Sequence, residues 1–90
     1  MNTILDYIKR TEEGTLIVQD MENEDTVGII TKEMIPFTEV TAFIDNDVIV
    51  VKLDNDREFE IFEDTLCDVE EILGDLIIIL EDFTRITIAS

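Results

Sequence analysis

Apolar residues recur along this chain in two rhythms, one helical and one strand-like. Ile4, Leu5, Tyr7 and Ile8 follow helical spacing near the start. Thr3 and Asp6 read as a capping box, Lys9 and Arg10 complement the negative end of the dipole, and Gly14 is a natural stop. Residues 3–12 are therefore expected to form a short helix. From Thr15 the rhythm changes to β-branched runs. Thr15–Gln19 and Thr26–Thr31 suggest a hairpin, joined by a connection over 20–25 that carries four acids in six residues. Lys32–Thr38 holds the one proline, Pro36, and is expected to be an irregular link. Val40–Ile44, Asp47–Leu53 and Glu58–Phe62 then read as a meander. Its turns are Asp45-Asn46 and Asp54–Arg57, where Asn and Asp tolerate the positive φ that tight hairpins need.

The last third is ambiguous. Thr65–Leu73 is expected to be a second helix, with Thr65 and Asp68 as its capping box and Gly74 as its stop. Leu76–Leu80 and Thr84–Ala89 read as strands, with Glu81-Asp82-Phe83 as a single helical turn between them. Val69, Ile72, Leu73, Leu76, Ile77, Leu80 and Phe83 also fit one long helix. Three consecutive isoleucines and Gly74 favour the strand, because β-branched side chains lose rotamer freedom in a helix. The resulting expectation is a single α+β domain over residues 1–90. It is mainly antiparallel sheet, with a short N-terminal helix and a second, acidic helix packed on it.

Composition supports a core: 46% of the 90 residues are hydrophobic, enough for one domain and well above the level at which disorder is the default. Charge changes the picture more. Asp and Glu number 23 against 6 Lys and Arg, for a net charge of −17. Solubility alone asks for a magnitude of about 2–8 in a small domain, and self-repulsion at a higher value destabilises the compact state. Direct binding to nucleic acid or an anionic membrane is excluded, since both are polyanions. Halophilic adaptation usually brings abundant alanine, whereas this chain has fifteen isoleucines and two alanines. The single Cys67 suits a reducing compartment. No basic-then-apolar leader or membrane-length apolar run is visible, so a cytoplasmic location is expected.

Catalysis has little material. The chain has no histidine, its one serine is Ser90, and Cys67 lies among acids that disfavour a thiolate. Asp54-Asn55-Asp56-Arg57-Glu58 opens like a calcium loop, but Phe59 and Thr65 stand where an EF-hand requires Gly and Glu. Zinc would find one Cys and no His. The expectation is a binding protein, not an enzyme, with no metal and no cofactor.

The acids themselves are patterned. On the expected second helix, Asp64, Asp68, Glu71 and Asp75 would lie within about 60° of one another at about 100° per residue. Like-charge pairs at i, i+4 and acids at a helix C-terminus both oppose stability, and such rule-breaking is where function is expected. On the meander, Asp56, Glu58 and Glu60 alternate with Arg57, Phe59 and Ile61, which puts carboxylates about 6.8 Å apart on one strand face. That spacing matches about two steps of a DNA strand, at ~3.4 Å per phosphate. With Glu63 and Asp64 between the two rows, residues 54–75 are expected to form one continuous anionic surface. The candidate partner-binding residues are Asp54, Asp56, Glu58, Glu60, Glu63, Asp64, Asp68, Glu71 and Asp75.

In size, charge and acidic rows such as Asp56/Glu58/Glu60, the chain resembles the small acidic inhibitors of phages and mobile elements. These are DNA mimics that block CRISPR nucleases, restriction enzymes or uracil-DNA glycosylase. The resemblance implies that carboxylates imitate phosphates in the basic site of a nucleic-acid-binding protein or nuclease inside a bacterial host. Two alternatives stay open. One is an immunity or antitoxin protein that caps a basic nuclease toxin through an anchor such as Tyr7, Phe37 or Phe43. The other is an oligomeric regulatory protein, such as a homodimer, whose acidity is incidental.

Overall fold

A computed structural model describes residues 2–21, 30–54 and 56–89. Helix α1 spans Asn2–Arg10, and eight strands follow: β1 (Gly14–Asp20), β2 (Ile30–Phe37), β3 (Val40–Asp45), β4 (Val48–Leu53), β5 (Glu58–Phe62), β6 (Leu66–Ile72), β7 (Asp75–Leu80) and β8 (Thr84–Ala89). A 3₁₀ turn, Glu63–Thr65, lies between β5 and β6. All pairings are antiparallel. The strands form a five-stranded sheet in the order β2-β1-β8-β7-β6 and a three-stranded sheet in the order β3-β4-β5.

Each sheet is apolar on one face, and the two apolar faces share one core. The large sheet contributes Leu16, Ile35, Phe37, Leu76, Ile78, Ile86 and Ile88, and the small sheet contributes Val40, Ile49, Val51, Leu53 and Ile61. Ile4, Tyr7 and Ile8 of α1 join them. The helix begins at Asn2, one residue before the expected cap, so Thr3 lies inside its first turn. The Tyr7 ring is buried, and its hydroxyl lies within hydrogen-bond reach of the carbonyl oxygens of Gly74 and Ile88, the latter at 3.0 Å. This phenol fixes the helix to the large sheet at a point 81 residues away in sequence.

The expected second helix is absent among the described residues; its place is taken by strand β6. Val69 lies opposite Ile78 and Leu66 opposite Leu80, which puts both on the core side of the sheet. A bulge at Cys67 shifts the alternation, so the apolar positions mimic a helical period. The capping signals have other uses. Thr65 Oγ1 donates to the Phe62 carbonyl at 2.7 Å, and Asp68 Oδ1 accepts from the Val69 N–H at 2.9 Å. Leu73 and Gly74 are the two turn residues of the β6–β7 hairpin, with φ of 53° and 89°. Gly74 is thus a hairpin residue and not a helix stop. Pairing with β7 and β8 outweighed the local propensity.

Lys32–Thr38 is likewise not an irregular link. Strand β2 runs through Pro36, because β2 is an edge strand, where a missing N–H can face away from the ladder. The expected strand over 26–31 falls mostly outside the described residues. The meander, the β7 strand and the β8 strand match expectation closely, and residues 81–83 form a turn with Phe83 at φ 65°. No helix of the described residues is long and apolar enough to cross a membrane.

Two outcomes follow from this packing. Tyr7→Phe leaves a buried carbonyl without its donor and is expected to cost about 1–2 kcal/mol in chemical denaturation, without loss of sheet signal. Leu73 is fully exposed at positive φ. Leu73→Asn should therefore raise stability by about 0.5–1 kcal/mol in the same measurement.

Candidate functional site

The nine acids singled out from the sequence are exposed, apart from the half-buried Asp75. The structure divides them among several surfaces. Glu58 and Glu60 behave as expected. They lie opposite Lys52 and Val50, on the outward face of the small sheet, while Phe59 and Ile61 turn to the core side. Asp56 is not in this row. It sits in the β4–β5 turn at φ 63°.

The row expected on the second helix does not exist, because β6 is a strand. Asp68 lies opposite Ile79 on the outward face of the large sheet. Glu71, three residues on, falls on the other face, and its Oε2 lies 3.5 Å from Nη2 of Arg10. Asp75 belongs to β7, and Glu63 and Asp64 to the 3₁₀ turn. The two sheets enclose one core, so their outward faces point away from each other. Glu58/Glu60 and Asp68 consequently lie on opposite sides of the molecule, and the single surface over 54–75 is not formed.

The outward face of the small sheet is the better defined site. Its cross-strand rows are Thr41–Lys52–Glu58, Phe43–Val50–Glu60 and Asp45–Val48–Phe62. Phe43 and Phe62 are 45% and 48% exposed, so two aromatic rings stand beside the acids. Lys52 is the one cation in these rows. Its Nζ lies 3.2 Å from Glu58 Oε1 and 5.9 Å from the Phe43 ring centre. An exposed pair of this kind holds little energy, typically about 0–1 kcal/mol, and a partner can displace it. A shallow concavity of about 510 Å³ adjoins the lower row, lined by Asn46, Asp47, Val48, Phe62, Glu63 and Asp64. Asn46 and Asp47 form the β3–β4 turn, both at positive φ, which directs the chain back to β4.

Sequence reasoning missed three residues here. Asp45 and Phe62 share this face through the β3–β4 and β4–β5 registers. Glu70 stands next to Asp68 on the outward face of the large sheet, opposite Ile77. A period of two read through residues 68–72 would have found Glu70. Of the suggested anchors, Tyr7 and Phe37 are buried in the core, and only Phe43 is accessible.

Some of the candidate acids hold the fold together. Thr38, in the two-residue corner between the sheets, donates its hydroxyl to Asp54 Oδ2 at 2.8 Å and its N–H to Oδ1 at 3.2 Å. These bonds, the hydroxyl's first, hold the Asp54 carboxyl below its ordinary range. Among the described residues, no cluster of three His, Cys, Asp or Glu is arranged to hold a metal ion.

Because its folded-state pKa is lowered, Asp54 adds stability above the ordinary carboxylate range. That contribution is lost as pH falls through the lowered value. In an NMR titration Thr38→Ala should move the Asp54 midpoint upward towards the ordinary value and leave Glu60 unmoved. An unchanged midpoint would remove Thr38 as the cause. Comparison with known proteins supplies no relative for this site: no family model, curated protein or solved structure matches the chain.

Proposed function

We propose that this protein is an acidic inhibitor that occupies the basic nucleic-acid-binding site of another protein and keeps nucleic acid out. The observation that supports this reading most is the outward face of the small sheet. There Glu58 and Glu60 alternate along β5 beside the half-exposed Phe43 and Phe62. Carboxylates about 6.8 Å apart can meet cations that otherwise contact alternate phosphates. A net charge of −17 draws such a partner in and speeds encounter. Asp45, Glu63 and Asp64 extend the acidic field around this face. Asp68 and Glu70 lie on the far side of the molecule and are not needed for the same contact. The proposed partner is thus a basic nucleic-acid-binding protein or nuclease of a bacterial cell, as in anti-CRISPR or anti-restriction inhibition.

Phe43 and Phe62 favour one second reading, an immunity-type protein that caps a basic nuclease toxin. In that case the aromatic rings fill pockets on the partner and contribute more than the acids.

Capture from bacterial lysate on the immobilised protein, washed at low and high salt with and without added DNA, separates the two. The mimic should retain a basic nucleic-acid enzyme that salt or DNA releases, and Glu58→Lys with Glu60→Lys should weaken that capture at least about tenfold. Retention unaffected by this double reversal would sink the mimic. Capture that resists salt and DNA but is lost on Phe43→Ala or Phe62→Ala would establish the immunity-type reading instead.

A further inference from the structure

The outward face of the large sheet has a different chemistry. Its register sets Arg85, Ile79 and Asp68 side by side on β8, β7 and β6. The next outward row is Thr87, Ile77 and Glu70. Each row has an isoleucine on β7 at its centre, a hydrogen-bond donor on one side and a carboxylate on the other. With strands about 4.8 Å apart, donor and acceptor stand equally far from the line of β7.

This arrangement is its own complement. A second copy, turned by half a turn about an axis along β7, lays its Asp68 over Arg85 and its Glu70 over Thr87. Ile77 and Ile79 then meet their own counterparts on the axis. Both copies make the same contacts, as a two-fold interface requires. Farther along β7 the next outward residue is Asp75, which would face its counterpart and so marks the end of the contact.

An independent observation points the same way. Arg85 Nε is buried and has no hydrogen-bond partner among the described residues. A guanidinium nitrogen held among isoleucines without an acceptor is unfavourable, and a carboxylate from above would satisfy it.

We propose that this face is a self-association surface whose occupant is a second copy of the chain, related by a two-fold axis along β7. The charge of the two copies does not forbid it. At about 0.15 M salt, exposed charges more than about 8 Å apart are largely screened, while the two Arg85–Asp68 pairs lie within the contact. Three strands overlap, about 14 Å by 20 Å, or roughly 600 Å² of plan area for the two copies together. That is small for a stable complex, so the dimer is weak, with a dissociation constant of roughly 0.1 mM. The surface is separate from the proposed inhibitor site, because Glu58 and Glu60 face the opposite way.

Sedimentation equilibrium from about 10 μM to about 1 mM at about 0.15 M salt tests the proposal. The expected result is a reversible monomer–dimer equilibrium. Arg85→Glu alone and Asp68→Arg alone should each raise the dissociation constant at least about tenfold. The combined Arg85→Glu/Asp68→Arg protein reverses both ends of the pair and should return to within about threefold of the parent. Circular dichroism checks that each variant folds, and the parent and the combined variant decide the matter if a single variant does not. A parent that stays monomeric to about 1 mM would leave the face to some other protein and overturn the proposal. A dimer indifferent to either single reversal, or one that the combined variant fails to restore, would overturn it too.

Discussion

Neither sheet can bury its apolar face alone, and the mutual covering of those two faces is the constraint on which everything else in this protein rests. Two short corners make it possible. Thr38 and Glu39 carry the chain from β2 of the large sheet into β3 of the small one, and the turn Glu63–Thr65 returns it from β5 to β6. Helix α1 packs Ile4, Tyr7 and Ile8 into the same cluster. The buried phenol of Tyr7 also ties the helix to the carbonyls of Gly74 and Ile88. A hydrophobic core of this kind sets the sign of every exposed position. Once one face of each strand is committed inward, the other is committed to solvent or to a partner.

The protein carries few cations, and most of them lie where elements meet. Arg10 faces Glu71 between α1 and β6. Lys32 reaches Asp20 at 2.7 Å, where β2 bulges against β1, and this hydrogen bond raises its pKa. Arg57 reaches Glu33 at 2.6 Å and so links the β4–β5 turn of the small sheet to β2 of the large one. Lys52 lies within the small sheet itself. Individually such exposed pairs add little. Their placement nonetheless leaves the remaining acids uncompensated on the outward faces, where repulsion is softened by water and salt.

The two outward faces then differ in kind. The small sheet presents carboxylates beside exposed aromatic rings, a combination suited to a basic partner with hydrophobic pockets. The large sheet presents isoleucines flanked by a cation and anions in one register, a combination suited to itself. Because the faces point apart, one molecule can use both at once, and changes on one leave the other untouched.

The sequence by itself determined the strands whose alternation is clean and whose turns have strong chemistry. Val40–Ile44, Asp47–Leu53 and Glu58–Phe62 were legible because Asn46 and Asp47 accept positive φ and because Glu58 and Glu60 alternate with apolar neighbours. The N-terminal helix was legible from its spacing and from its final cations. Tertiary structure alone decided residues 65–74. A bulge at Cys67 breaks the two-residue period, and Thr65, Asp68 and Gly74 satisfy helix-cap rules and turn rules alike. Only pairing with β7 resolves that tie, through ladder hydrogen bonds and the burial of Leu66 and Val69 against the core. It also decided Pro36, which is acceptable in a strand only because β2 lies at an edge. The grouping of the acids went with these decisions. Residues at helical spacing share a side, but in a strand Asp68 and Glu71 are turned to opposite faces, and no local signal in the chain fixes which of the two applies.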